Sequence, residues 1–66
     1  MTVIESIINA RNISRYRFAV DVYGKPHTSM YGVVAGTFRP SKRMRTKIAE
    51  YFGKSEADLF DHRGMP

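Results

Sequence analysis

Between Arg11 and Lys47, nine basic side chains (Arg11, Arg15, Arg17, Lys25, Arg39, Lys42, Arg43, Arg45 and Lys47) stand against a single acid, Asp21. Lys and Arg gathered in this way neutralise phosphates and displace condensed counterions, the chemistry of a polyanion-binding surface. Glu5, Glu50, Glu56, Asp58 and Asp61 fall outside the span with only Lys54 and Arg63, so a local excess of +8 is offset by −3 elsewhere. A surface charged only to stay dissolved would intersperse the signs. The other reactive side chains support less. His27 has no nucleophile near it in sequence to activate. Asp58 and His62 are four apart, a spacing that shares a metal on one helix face, but two ligands do not make a site. The absence of cysteine excludes a thiolate nucleophile, a thiolate metal site and a disulfide framework. No enzymatic activity, cofactor or metal is expected.

Length narrows the classes further. A chain of 66 residues is one domain at most and buries roughly 60% of its unfolded surface, too little to enclose a catalytic cavity. Its uninterrupted apolar stretches are only two or three residues long, and Glu5 stands where a secretory signal carries positive charge. The expectation is a soluble, cytoplasmic domain over residues 1–61 with a frayed tail at 62–66 and no membrane partner. The four tyrosines and four phenylalanines fall at helical core spacing, not in the strand array that stacks on single-stranded bases.

The elements that must carry this charge read as an all-α bundle of about five short helices. Ile4, Ile7, Ile8 and Arg11 repeat at helical spacing over residues 3–11, with Thr2 as N-cap and Glu5 completing a capping box. Ser14 caps a second helix that carries Phe18, Ala19 and Val22 to Tyr23-Gly24. A turn at Gly24-Lys25-Pro26 leads into a third, His27 to Ala35, with Met30, Val33 and Val34 on its apolar face. Gly32 and the strand-forming Tyr31, Val33 and Val34 make this the weakest helix by propensity. Ser41 caps a fourth, with Met44, Ile48, Tyr51 and Phe52 in period, and Ser55 with Asp58 opens a short fifth that carries Ala57, Leu59 and Phe60.

The order of these helices, with Ile13-Ser14, Phe18-Ala19, Gly24, Met30, Val33, Gly36, Pro40, Ile48-Ala49, Phe52-Gly53, Ser55 and Leu59-Phe60, resembles the lambda-repressor-like (Cro and xenobiotic-response-element type) helix-turn-helix regulators over roughly Val3 to Phe60. The resemblance implies a second helix that braces the third and a third helix that enters the DNA major groove. Carried over by position, base reading falls to His27, Thr28, Ser29, Tyr31 and Gly32. Phosphate contact falls to Arg15, Arg17, Lys25, Arg39, Lys42 and Arg43. The chain departs from the family pattern in one extra residue between Ala19 and Gly24, in Pro26 where a Ser or Thr cap is usual, and in Lys25 where a small apolar residue is usual. The function implied is a small repressor of phage or mobile-element type that occupies a double-stranded operator as a homodimer. Those of Tyr51, Leu59, Phe60 and Met65 that are exposed are candidates for the dimer surface. An antirepressor module that binds a cognate repressor protein, and an excisionase-like DNA bender, are the alternatives.

Overall fold

Five amide-rich helix starts need acceptors, and the chain places one before each. The hydroxyls of Thr2, Ser14, Ser41 and Ser55 accept from the backbone N–H of Glu5, Arg17, Met44 and Asp58 at 3.0, 3.0, 3.2 and 3.3 Å. These caps open α1 (Val3–Ala10), α2 (Arg15–Tyr23), α4 (Lys42–Phe52) and α5 (Glu56–Leu59), while α3 (Thr28–Ala35) is capped by His27. The computed structural model describes residues 2–66, so residue 1 of the expected domain lies outside the described residues. Among the described residues every element is helical.

Each helix contributes to one apolar cluster. Ile4 and Ile8 of α1, Phe18 and Ala19 of α2, Met30, Val33 and Val34 of α3, Ile48, Ala49 and Phe52 of α4, and Leu59 of α5 with Phe60 are all buried. At its centre Phe18 stacks on Phe52 with ring centroids 5.7 Å apart, and Tyr51 meets both edge-on. Burial of Met30, Val33 and Val34 against α1 and α2 overrides the poor helical propensity of α3. Leu59 and Phe60 belong to this core and are not available as a dimer surface. Tyr51 is half-buried, its hydroxyl engaged by Asp21.

Several details differ from the expectation, the first being that α1 ends at Ala10 with Arg11 as its C-cap. His27 is extended (φ −149°, ψ 138°) and stands outside α3 as its cap. Phe60 is likewise extended, so α5 ends at Leu59 and His62 does not share a helix face with Asp58. Residues 62–66 form a hydrogen-bonded turn where a frayed tail was expected. The Asp61 N–H donates to the Met65 carbonyl at 2.8 Å, and the Gly64 N–H donates to the Asp61 carbonyl at 2.9 Å. The Asp61 carboxylate accepts from the N–H of Arg63 and Met65 at 2.9 and 3.1 Å.

The end of α3 is tied to the start of α1. Thr2 donates its hydroxyl to the Val34 carbonyl at 2.6 Å, and its methyl group lies where a side chain on Gly36 would project. Gly36 has φ +85°, and a Cβ there would stand 2.9 Å from Thr2 Cγ2. Gly36→Ala therefore meets left-handed strain and a clash together, with an expected loss of about 1–3 kcal/mol in urea unfolding. Adding Thr2→Ser, which keeps the cap and removes the methyl, should restore part of that loss. No recovery would show that the clash is not felt. A second expectation concerns the turn. The Met65 N–H, then the Arg63 side chain, hold the Asp61 carboxyl down to about 2 from its ordinary 3.8. A depressed folded value means the contribution is complete above the unfolded value and fades as pH falls toward 2. The amide shifts of Arg63 and Met65 should titrate with a midpoint near 2, and a midpoint near 3.8 would mean the carboxylate is free.

Candidate nucleic-acid interface

The segment joining α2 to α3 is organised by one imidazole. His27 Nδ1 accepts from the Ser29 N–H at 3.1 Å and lies 2.7 Å from Ser29 Oγ, while its ring packs 4.8 Å from that of Tyr23. A nitrogen that accepts an amide proton must keep its lone pair, so the ring proton of the capping form sits on Nε2. That N–H is the donor His27 offers outward. Thr28 is exposed at the first turn of α3. Ser29 is half-buried and tied to His27, and Tyr31 packs its ring against the core edge, also half-buried.

Gly32 is placed differently from an open base-reading position. Its carbonyl accepts from the N–H of Thr37 and Phe38 at 2.9 and 3.2 Å, and a Cβ on it would stand 2.9 Å from Phe38 Cβ. The missing side chain lets the α3–α4 link lie directly on the helix. Of the five base-reading candidates, the structure thus leaves His27 and Thr28 outermost, Ser29 and Tyr31 at their flanks, and Gly32 under the link.

The nine bases of the Arg11–Lys47 span divide by what they touch. Arg11 Nη2 donates to the Phe52 carbonyl at 3.2 Å with its guanidinium 5.5 Å from the Phe52 ring centroid, which pins the end of α4. Arg45 Nη1 donates to the Pro40 carbonyl at 2.8 Å, and its Nε stands 3.8 Å from Glu56. Arg17 pairs with Asp21 at 3.1 Å on an exposed helix face, its side chain 71% accessible, an arrangement worth little and easily exchanged for another anion. Asp21 also accepts from the Tyr51 hydroxyl at 2.8 Å; that bond, more than Arg17, holds its carboxyl below the usual range. Burial, then the same contact, pushes the Tyr51 hydroxyl up. Arg15, Lys25, Arg39, Lys42, Arg43 and Lys47 are exposed, and no ion pair holds any of them among the described residues.

Two adjoining hollows connect these groups. A cleft of about 180 Å³ runs between Tyr23, Ser29, Met30 and Phe38, reaching Ser41 and Met44. It shares Phe38, Pro40 and Ser41 with an open groove of about 510 Å³ bordered by Arg39, Lys42, Arg45, His62 and Arg63. The start of α3 is therefore continuous with the basic start of α4. Lys47 was not among the sequence candidates, although it lies one turn beyond Arg43 on the same helix face. His62 and Arg63 were missed because the tail reads as unstructured.

His27→Ala should cost about 1 kcal/mol in urea unfolding through loss of the α3 cap, and His27→Asn, which retains an acceptor, should cost less. Equal losses would show that Nδ1 does not cap. No family model, curated protein or solved structure matches the chain.

Proposed function

We propose that the chain is a sequence-specific double-stranded-DNA-binding regulator in which α2, the turn and α3 act as a helix-turn-helix and the first turn of α3 enters the major groove. The observation that carries this reading is the continuity of a groove at the start of α4, bordered by Arg39, Lys42, Arg45, His62 and Arg63, with the exposed first turn of α3. On it, the Nε2–H of His27 and the hydroxyl of Thr28 address base edges, and Tyr31 flanks them. Arg39, Lys42, Arg43, Arg15 and Lys25 set the register on phosphates without reading sequence. Regulation follows from occupancy of an operator. One short helix end makes few base contacts, so two copies on a two-fold related site supply the affinity. No catalytic step, cofactor or metal enters this reading.

A second reading rests on Phe38 and Tyr23, which are 46% and 38% exposed beside the apolar cleft. A protein-interaction module of antirepressor type would use that cleft and not the bases around it. Electrophoretic mobility shifts across a salt series separate the two. For the DNA binder, replacing Arg39, Lys42 and Arg43 by alanine should flatten the slope of log K against log salt by about 2–3 and weaken all duplexes alike. Thr28→Ala should change sequence preference by about 1–3 kcal/mol at one base position. Salt-independent binding, or none, would overturn operator recognition.

A further inference from the structure

The groove at the start of α4 has one wall that the helix-turn-helix reading leaves unused. Its near side is the α3–α4 link and α4, with Arg39, Lys42 and Arg45, and its far side is the C-terminal turn, with His62, Arg63 and Gly64. Every titratable side chain on that border is basic. The turn has a defined shape, because the Asp61 carboxylate gathers the N–H groups of Arg63 and Met65. It is also docked: Gly64 is buried, and a Cβ on it would fall 2.6 Å from Arg45 Nη1 and 3.1 Å from the guanidinium carbon. Arg45 thereby joins three parts of the chain, the Pro40 carbonyl, Glu56 and the turn.

Arg63 presents its guanidinium from this platform. Its Nε and Nη2 are held by Asp61 Oδ2 at 3.3 and 3.0 Å, which leaves Nη1 without a protein partner and the side chain 68% accessible. A guanidinium held by its inner edge keeps donors for a second anion.

Resting on the DNA-binding reading above, we infer that the C-terminal turn, Asp61 to Met65, is the second wall of a phosphate-backbone cradle, in which Arg63 continues the cationic row begun by Arg39 and Lys42 and the exposed ring of His62 stands beside it. The partner is the phosphodiester backbone of duplex DNA flanking the bases that α3 reads. Asp61, although acidic, supports this binding by shaping the turn.

That role makes a prediction opposite in sign to bulk charge. The test titrates the full chain and its variants against a fluorescein-labelled duplex of about 20 base pairs, enough to span two helical turns. Anisotropy is read between about 50 and 200 mM salt, with thermal melts by circular dichroism to verify folding. Asp61→Asn and Gly64→Ala should both weaken binding several-fold, although the first raises the net charge and the second leaves it unchanged. Arg63→Ala, which keeps Asp61 and the backbone turn, should weaken binding and flatten the salt slope by about 1. Lys54→Ala removes the same formal charge at the opposite end of α4 and should leave the slope unchanged. Wild-type binding with Arg63→Ala indistinguishable from Lys54→Ala, or tighter binding by Asp61→Asn, overturns the role of the turn and leaves the DNA-binding reading standing. Absence of salt-dependent wild-type binding overturns both.

Discussion

The seating of α3 on its neighbours is the constraint on which the other features depend. Met30, Val33 and Val34 bury completely, and that burial, with the His27 cap, holds as a helix a segment of poor propensity whose β-branched residues and internal glycine would not form one alone in water. Because those three side chains face inward, Thr28 and the outer edge of His27 face outward, and the link after Gly36 must return across the helix at Gly32. The same burial fixes where Arg39 and Ser41 emerge, and so where the basic start of α4 stands relative to the first turn of α3.

Positive charge in this chain is used in two ways. Arg11 and Arg45 reach carbonyls of Phe52 and Pro40 that would otherwise end a helix or a link unpaired, and the Arg11 guanidinium also lies over the Phe52 ring. Guanidinium groups can satisfy a carbonyl and a carboxylate together, as Arg45 does with Pro40 and Glu56. Of the remaining bases in the Arg11–Lys47 span, Arg17 pairs with Asp21 on an exposed face, while Arg15, Lys25, Arg39, Lys42, Arg43 and Lys47 are exposed with no ion pair among the described residues. The net +5 therefore understates how sharply structural and exposed charge are separated.

What could be read in advance was what is local. The hydroxyl caps at Thr2, Ser14, Ser41 and Ser55 bond only three residues ahead, so type and spacing suffice to locate four helix starts. The apolar periods likewise identified Met30, Val33, Ile48 and Phe52 as core. His27 was read as the first helical residue because imidazole caps less often than a hydroxyl, and only the geometry shows Nδ1 accepting from Ser29. The contacts that span the chain left no local trace: Arg11 to Phe52, Thr2 to Val34, and Arg45 over Gly64. The tail illustrates the limit, since its order comes from one carboxylate and from Arg45, nineteen residues before the Gly64 it packs on.

The contact between the link and Gly32 limits what one copy can read on the proposed function. With the link lying over Gly32, the proposed reading head is chiefly the first turn of α3, an imidazole donor and one hydroxyl at its tip with Tyr31 at its flank. On the proposed function, such a head distinguishes few base pairs, while the groove beside it tracks any duplex. Sequence discrimination then belongs to the spacing between two copies, and a lone molecule is left to scan.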